Sequence, residues 1–392
     1  MRGHVDRQQA MFVMLNLEAK VPQDHPLRPI KAWCGQVFVG MRRDFEAAYS
    51  PIGRPGIPPE QLLKALLLQA LYAIPSERRL MEAIDFNLLY RWFLDLPADA
   101  AVWTPETFSM NRERFIAHDL VRTFFDRVVH EALVEGLVSE DHFTIDGTLI
   151  RSLASHKSLE PIDGRSRAAR QAKQTGHEDG PDDDCADGGG SSSRDTLVNW
   201  KGQKLANNTH RSTTDPEALL ARKGPGKPAE LCHSGHVLME NRTGLCVDVR
   251  VGHATGTAER EHAREMLARV RRRHKLRPKT VGGDTGYDDG PFLDELERKH
   301  RIVPHVPVRR GTIAATDAAG QARRRARRRM QTVAYRVSQR VRKRVEQIIG
   351  WGKTVGRWAR TRFLGHDRIE QEALMTGAAY NLLRMSRLAG AP

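Results

Sequence analysis

His142-Phe-Thr-Ile-Asp146 is a short apolar run that ends on an acid and passes directly into Gly147. Lys279-Thr-Val-Gly-Gly-Asp284 has the same form, with Gly286 two residues on. Between them, His236-Val-Leu-Met-Glu-Asn-Arg242 and Leu245-Cys-Val-Asp-Val-Arg-Val251 flank Thr243-Gly244, which predicts an antiparallel hairpin. A strongly charged helix is expected over 259–274 and a second helix over 288–300. A short strand is expected at 302–306 and a last helix over about 332–349. Strand, hairpin, helix, strand, helix, strand, helix predicts an α/β fold, a mixed sheet with helices packed on it.

Working outward, residues 1–135 read as helical. Pro59 stands where a helix tolerates proline, in the first turn. Leu62, Leu63, Leu66, Leu67, Ala70 and Leu71 follow with helical spacing. Ser76 is a cap for a short helix through Ile84, and Thr104-Pro105 starts a third. An amphipathic helix follows over 120–135. The helix pair around 60–84 is open between a DNA reader and a packing unit. Residues of about 155–200 include Gly180-Pro-Asp-Asp-Asp184 and Gly188-Gly-Gly-Ser-Ser-Ser193. Such a stretch buries too little apolar surface to offset its ordering entropy, so a flexible acidic insertion is expected.

The chain has 63 Lys and Arg against 48 Asp and Glu, a net charge of +15. From Arg301 to Gly350 there are 14 basic residues and two acids, Asp317 and Glu346. The densest part is Arg323, Arg324, Arg325, Arg327, Arg328 and Arg329. A solvated helix face normally mixes signs, so this tract favours phosphate binding, which gives affinity without sequence specificity. Trp351 and Trp358, beside it, are open between DNA contact and packing, while Trp92 and Phe93 read as core. Cys34, Cys185, Cys232 and Cys246 have no CxxC spacing, so no zinc ribbon or disulfide framework is supported, and a reduced cytoplasmic protein is expected. Cys232-His233 with His236 lacks a second ligand pair and reads as a strand entry. No apolar run reaches the ~20 residues of a membrane span, and the N-terminus has no signal-peptide core.

Acids at strand ends beside a basic surface suit metal-assisted phosphoryl transfer, where divalent ions activate a nucleophile and stabilise a leaving oxygen. Magnesium takes oxygen ligands, usually one or two carboxylates with waters and phosphate. Asp146 and Asp284 are the candidates by position, each followed closely by a glycine that leaves space beside the carboxylate. Each is also open to a turn-forming role. Glu346 is the one carboxylate between Gln321 and Arg362. It is open between a metal ligand and a helical ion pair with Arg342 four residues earlier.

Ile145-Asp-Gly-Thr148, Gly283-Asp-Thr-Gly-Tyr-Asp288 and Ser338-Gln-Arg-Val-Arg-Lys-Arg-Val-Glu-Gln347 resemble the three acidic segments of DDE transposases. The resemblance is to the bacterial insertion-sequence transposases of the "family five" group, with their Tyr-x2-Arg-x3-Glu-x6-Lys signature. Arg342, Glu346 and Lys353 match its spacing, and Gln339 stands at the Tyr position. Gly53-Arg-Pro, Leu66-Leu-Leu-Gln-Ala-Leu-Tyr72, Ser76-Glu-Arg-Arg-Leu80 and Tyr90-Arg-Trp-Phe-Leu94 resemble the group's N-terminal domain. Thr213-Thr-Asp-Pro-Glu217 and Gly235–Arg242 resemble its central block, and Ala379-Tyr-Asn-Leu-Leu-Arg384 its C-terminal helix.

The resemblance implies an RNase H-like mixed sheet with flanking helices, preceded by an all-α domain. The expected parts are a DNA-binding domain over 1–135, a DDE catalytic domain over 136–355 and a helical segment over 356–392. It implies that Asp146, Asp284 and Glu346 hold two Mg²⁺ (or Mn²⁺) ions, with Arg342 and Lys353 on phosphates or positioning Glu346. The implied partners are double-stranded DNA, as terminal inverted repeats and target, and further copies of the chain in a homodimer or higher oligomer. The implied setting is the cytoplasm, at the nucleoid. A second class is a DNA-binding regulator, including a decayed transposase, and a third is a nuclease that stops at hydrolysis.

Overall fold

The computed structural model describes residues 14–50, 52, 56–162, 205–224, 226–313 and 316–390. They fall into two units, one holding the residues up to Leu120 and those from Leu382, the other being Val121–Asn381.

The first unit contains α1 (Leu17–Lys20), α2 (Leu27–Ala48), α3 (Pro59–Leu71), α4 (Glu77–Phe86), α5 (Leu88–Phe93) and α6 (Pro105–Ala117). Local chemistry sets the starts. Pro59 opens α3, Ser76 Oγ accepts the Arg79 N–H, and Thr104 Oγ1 accepts the Thr107 N–H ahead of Pro105. In α2, Leu27, Ile30, Cys34, Val37, Met41 and Phe45 form one buried stripe. α3 buries Leu62, Leu63, Ala65, Leu67 and Leu68, so core surrounds most of it. α4 buries only Leu80, Met81 and Ile84 and leaves Arg78 and Arg79 exposed. Of the pair around 60–84, α4 therefore carries the free surface. Trp92 and Phe93 are buried.

The second unit is built on β1 (His142–Arg151), β2 (Leu159–Pro161), β3 (His210–Ser212), β4 (Leu219–Ala221), β5 (Glu230–Glu240), β6 (Cys246–His253), β7 (Thr280–Gly282) and β8 (Val303–His305). β5 runs antiparallel to β1, with Asp146 opposite Val237 and Gly147 opposite His236. β6 and β4 share the other edge of β5, and β7 and β8 continue in parallel from β1. The order β6–β5–β1–β7–β8 joins the expected hairpin to two parallel strands. Parallel neighbours need long crossovers, and helices supply them. α8 (Ala258–His274) leads from β6 to β7. α9 (Gly290–Glu295), prolonged by a π turn at Leu296–His300, leads to β8. This is the mixed α/β sheet with flanking helices that the sequence predicts. No helix among the described residues is long and apolar enough to cross a membrane.

After β8 come α10 (Ala318–Arg329), α11 (Val333–Arg342), α12 (Val345–Thr354) and α13 (His366–Ala389). The single helix expected over 332–349 is in fact two, broken at Lys343-Arg344. Arg344 turns to the hairpin and donates Nη1 to the carbonyls of Asn241 and Arg242, the latter at 2.8 Å. α8 packs on β5 and β6, while α11 packs on β1, β7 and β8, and α12 on β1. Asn381 of α13 is buried and bonds both the N–H and the C=O of Cys246, at 2.9 and 2.7 Å. That pairing gives the Ala379–Arg384 motif a structural task, docking α13 on β6. The expected acidic insertion lies for the most part at 163–204, outside the described residues. Its first residues form a short turn and then β2, paired with β3.

Candidate active site

Asp146 lies midway along β1 and not at its end, as the sequence suggested, because pairing with β5 carries the strand on through Gly147 to Arg151. Side chains alternate across a strand, and Asp146 points to the face that α11 covers. Arg342 Nη1 of α11 stands 3.7 Å from Asp146 Oδ2, and the Gly147 N–H donates to Oδ1 at 2.9 Å. Asp284 follows β7 at the start of a tight turn, and its Oδ1 accepts the Gly286 N–H at 2.8 Å. Gln339, at the signature's Tyr position, donates Nε2 to the carbonyls of His305 (2.7 Å) and Gly283 (3.4 Å). It ties α11 to the ends of two parallel strands, beside Asp284. Glu346 is exposed in the first turn of α12.

The electrostatics link these residues. Burial pushes the Asp146 carboxyl up to about 6, opposed by the Gly147 N–H and the Arg342 guanidinium and reinforced by the charges of Asp284 and Glu346. Lys353 is pushed down by burial and by Lys223, and drawn back up by Asp146. Asp146, Asp284, Glu346, Arg342 and Lys353 therefore share one electrostatic neighbourhood. The helical pair Arg342–Glu346 does not form. The break after Arg342 puts the two residues on separate helices, and the ion pair of Arg342 is with Asp146.

A fourth acid stands here that sequence reading passed over. Glu259, in the first turn of α8, is pushed up by burial first and then by the charges of Asp284 and Asp146. A Cβ at Gly286 would overlap Glu259 Oε2 and lie 3.0 Å from Asp284 Oδ1. A Cβ at Gly147 would lie 3.6 Å from Glu259 Cγ. In the sequence Glu259 is one of many charges in a charged helix. The usable signal was Gly286, close after Asp284, which left space beside the carboxylate.

The arginine tract, α10, is set apart from this cluster. Arg323 binds Asp288 through two hydrogen bonds of 2.9 and 2.8 Å. Arg325 pairs with Glu297 and Asp294, and Arg329 with Glu297. Arg324 donates to the Ile313 carbonyl, and Arg327 to those of Gly311 and Arg309. Arg328 is exposed and has no side-chain partner among the described residues. The acids missing from the tract's own sequence come from α9 and the loop before it. Trp358 is buried, at 3% exposure, so it belongs to the core and not to a DNA surface, while Trp351 is half-buried against Tyr380. His233, of the Cys232-His233 pair, is also buried, with Nε2 2.9 Å from Asp215 Oδ2.

Among the described residues, no three His, Cys, Asp or Glu side chains stand close enough to enclose one ion. The donor set nevertheless suits magnesium. That ion needs one or two carboxylates with waters and phosphate completing its shell, and like charges crowded at Asp146 favour a cation.

Two family models match the chain. Transposase domain (DUF772) matches residues 15–114, and Transposase DDE domain matches residues 213–382. No curated protein and no solved structure matches it. The first match covers α1 to most of α6, and the second runs from the central strands through Asp284 and Glu346 to α13. The helical unit and the mixed sheet agree with these matches, and the chain belongs to the insertion-sequence DDE transposases.

Proposed function

We propose that this transposase binds the terminal inverted repeats of its own element, cuts DNA there and joins the ends to target DNA. The observation that carries the reading is the grouping around Asp146. An acid from the end of β7 and one from α12 act on the carboxyl of Asp146 in β1, with Arg342 and Lys353 beside it. In the first step water attacks the phosphodiester at the element end, and the bond to the 3′ oxygen breaks, leaving a 3′-OH. In the second, that 3′-OH attacks a target phosphodiester and displaces the target's 3′ oxygen.

Asp146, Asp284 and Glu346 are the proposed holders of the divalent ions and the proposed catalytic residues. Magnesium bound there would activate the attacking hydroxyl and stabilise the leaving oxygen. Arg342 orients Asp146 and, with Lys353, offers positive charge to the scissile phosphate. Arg328 and the other arginines of α10 add a field that draws the phosphate backbone. The setting is the cytoplasm, with at least two copies of the chain on paired element ends.

The test incubates the full chain and Mg²⁺ with a duplex carrying the inverted repeat that flanks its gene, plus a supercoiled target. Joined donor–target products are expected. Nicks without joining would indicate a nuclease, and binding without cutting a regulator.

A further inference from the structure

Gly286, two residues after Asp284, clears a space, and a side chain from another element fills it. α8 begins directly after the hairpin, and its first turn lies over the Asp284–Gly286 turn. Arg260 Nη1 donates to the Gly286 carbonyl at 3.1 Å and pins that turn to α8. The preceding residue, Glu259, reaches in. Its Oε2 and Asp284 Oδ1 both crowd the point where a Gly286 Cβ would be. Glu259 Cγ also comes near Gly147, where the His236 ring stands closer still. The carboxylate is half-buried and has no hydrogen bond or ion pair among the described residues.

A first-turn glutamate ordinarily answers the positive end of its helix. Glu261 is in the same turn, is exposed, and fits that description. Glu259 does not, because its carboxylate is directed at Asp284. The carboxylates of Asp284 and Glu259, drawn together beside Gly286, repel one another unless a cation lies between them.

We propose that Glu259 is a fourth carboxylate of the metal centre, sharing with Asp284 the cation that Asp284 holds. This rests on the metal-centre reading given above. Two carboxylates with waters and a phosphate oxygen make a normal magnesium shell. α8 would then contribute to the site as well as to the sheet packing. Glu346, on α12, would serve the opposite side of Asp146.

The test is Mn²⁺ binding to the full chain, followed by electron paramagnetic resonance, without DNA and without turnover. The variants are Glu259→Gln, Glu259→Asp, Glu261→Gln and Asp284→Asn. Glu259→Gln should weaken Mn²⁺ binding ~10-fold or more, the scale at which supporting ligands act, and Glu261→Gln should leave it unchanged. Glu259→Asp keeps the first-turn charge but retracts the carboxylate. A helix-end role predicts wild-type binding for it, and a ligand role predicts weakened binding. Melting without metal checks the fold, and Glu259→Gln should melt no lower than wild type, since it removes a repulsion. If Asp284→Asn loses Mn²⁺ while both Glu259 variants bind as wild type does, the fourth-carboxylate proposal fails and the three-acid reading stands. If Asp284→Asn itself binds Mn²⁺ normally, the underlying reading fails.

Discussion

Asp146 holds a proton more readily in the folded chain than in the unfolded one. A free aspartate titrates near 3.9, and the folded group is pushed up to about 6, by burial first and then by Asp284 and Glu346. Its stabilising share is complete below the unfolded value and disappears as pH rises through the folded value. Without metal, this residue therefore lowers stability between about pH 4 and 6 as pH rises. Metal binding requires the carboxylate, so proton and cation compete. Mg²⁺ should raise the melting temperature more at pH 7.5 than at pH 5, read by differential scanning calorimetry. An equal rise at both would separate Asp146 from the metal. Replacing it with Asn should flatten the difference and raise metal-free stability at pH 7.5. At this scale the sequence was informative where a motif joined acid and glycine, and blind to Glu259. An acid on a helix full of charges carries no mark of its direction, which only the packing of α8 on the sheet decides.

At the scale of elements, charge has two different uses. On α10, side chains four apart form one stripe, so Arg325 and Arg329 meet Asp294 and Glu297 together. Composition revealed a basic tract but not its acidic partners, which precede it in the chain and join it only in the fold. Arg328→Gln should leave the melting temperature unchanged and make the salt dependence of DNA binding shallower by ~0.9 if it contacts a phosphate. Arg325→Gln with Arg329→Gln should lower the melting temperature as well, since α10 loses its ties to α9. Gel-shift salt titrations beside melting curves separate the two effects. The other use is burial. Arg122 of α7 (Leu120–Val134) binds Asp248 of β6 (2.7 Å), the Val249 carbonyl and Glu370 of α13 (2.7 Å). Both Arg122 and Asp248 are almost wholly buried. Arg122→Ala would leave Asp248 paired only with Arg269, whose Nη1 stands 3.3 Å away, so a loss near the lower end of the ~3–5 kcal/mol of a broken buried pair is expected in denaturant unfolding. A loss under ~1 kcal/mol would mean that water reaches the pair.

For the whole molecule, the order of elements was legible from His236 to His305, where strand and helix periods alternate, while the three-residue strands β2, β3 and β4 were too short to show a period. Local turns and caps were legible too, at Pro59, Ser76 and Thr104, because they depend on a few adjacent residues. The break between α11 and α12 was not, since it comes from Arg344 reaching a hairpin about a hundred residues earlier in the chain. The site sits between these cases. Three acids could be named from spacing and resemblance, but their common neighbourhood is a product of the sheet order β1–β7–β8 and of α11 laid across it. The central claim is that this neighbourhood performs metal-dependent cutting of DNA. The most direct test is single-turnover cleavage of an end-repeat duplex in Mg²⁺ by the wild-type chain and by Asp284→Asn, each at saturating protein. Asp284→Asn barely alters shape, so the account predicts undiminished duplex binding and no cleavage. Cleavage by Asp284→Asn at the wild-type rate would contradict it.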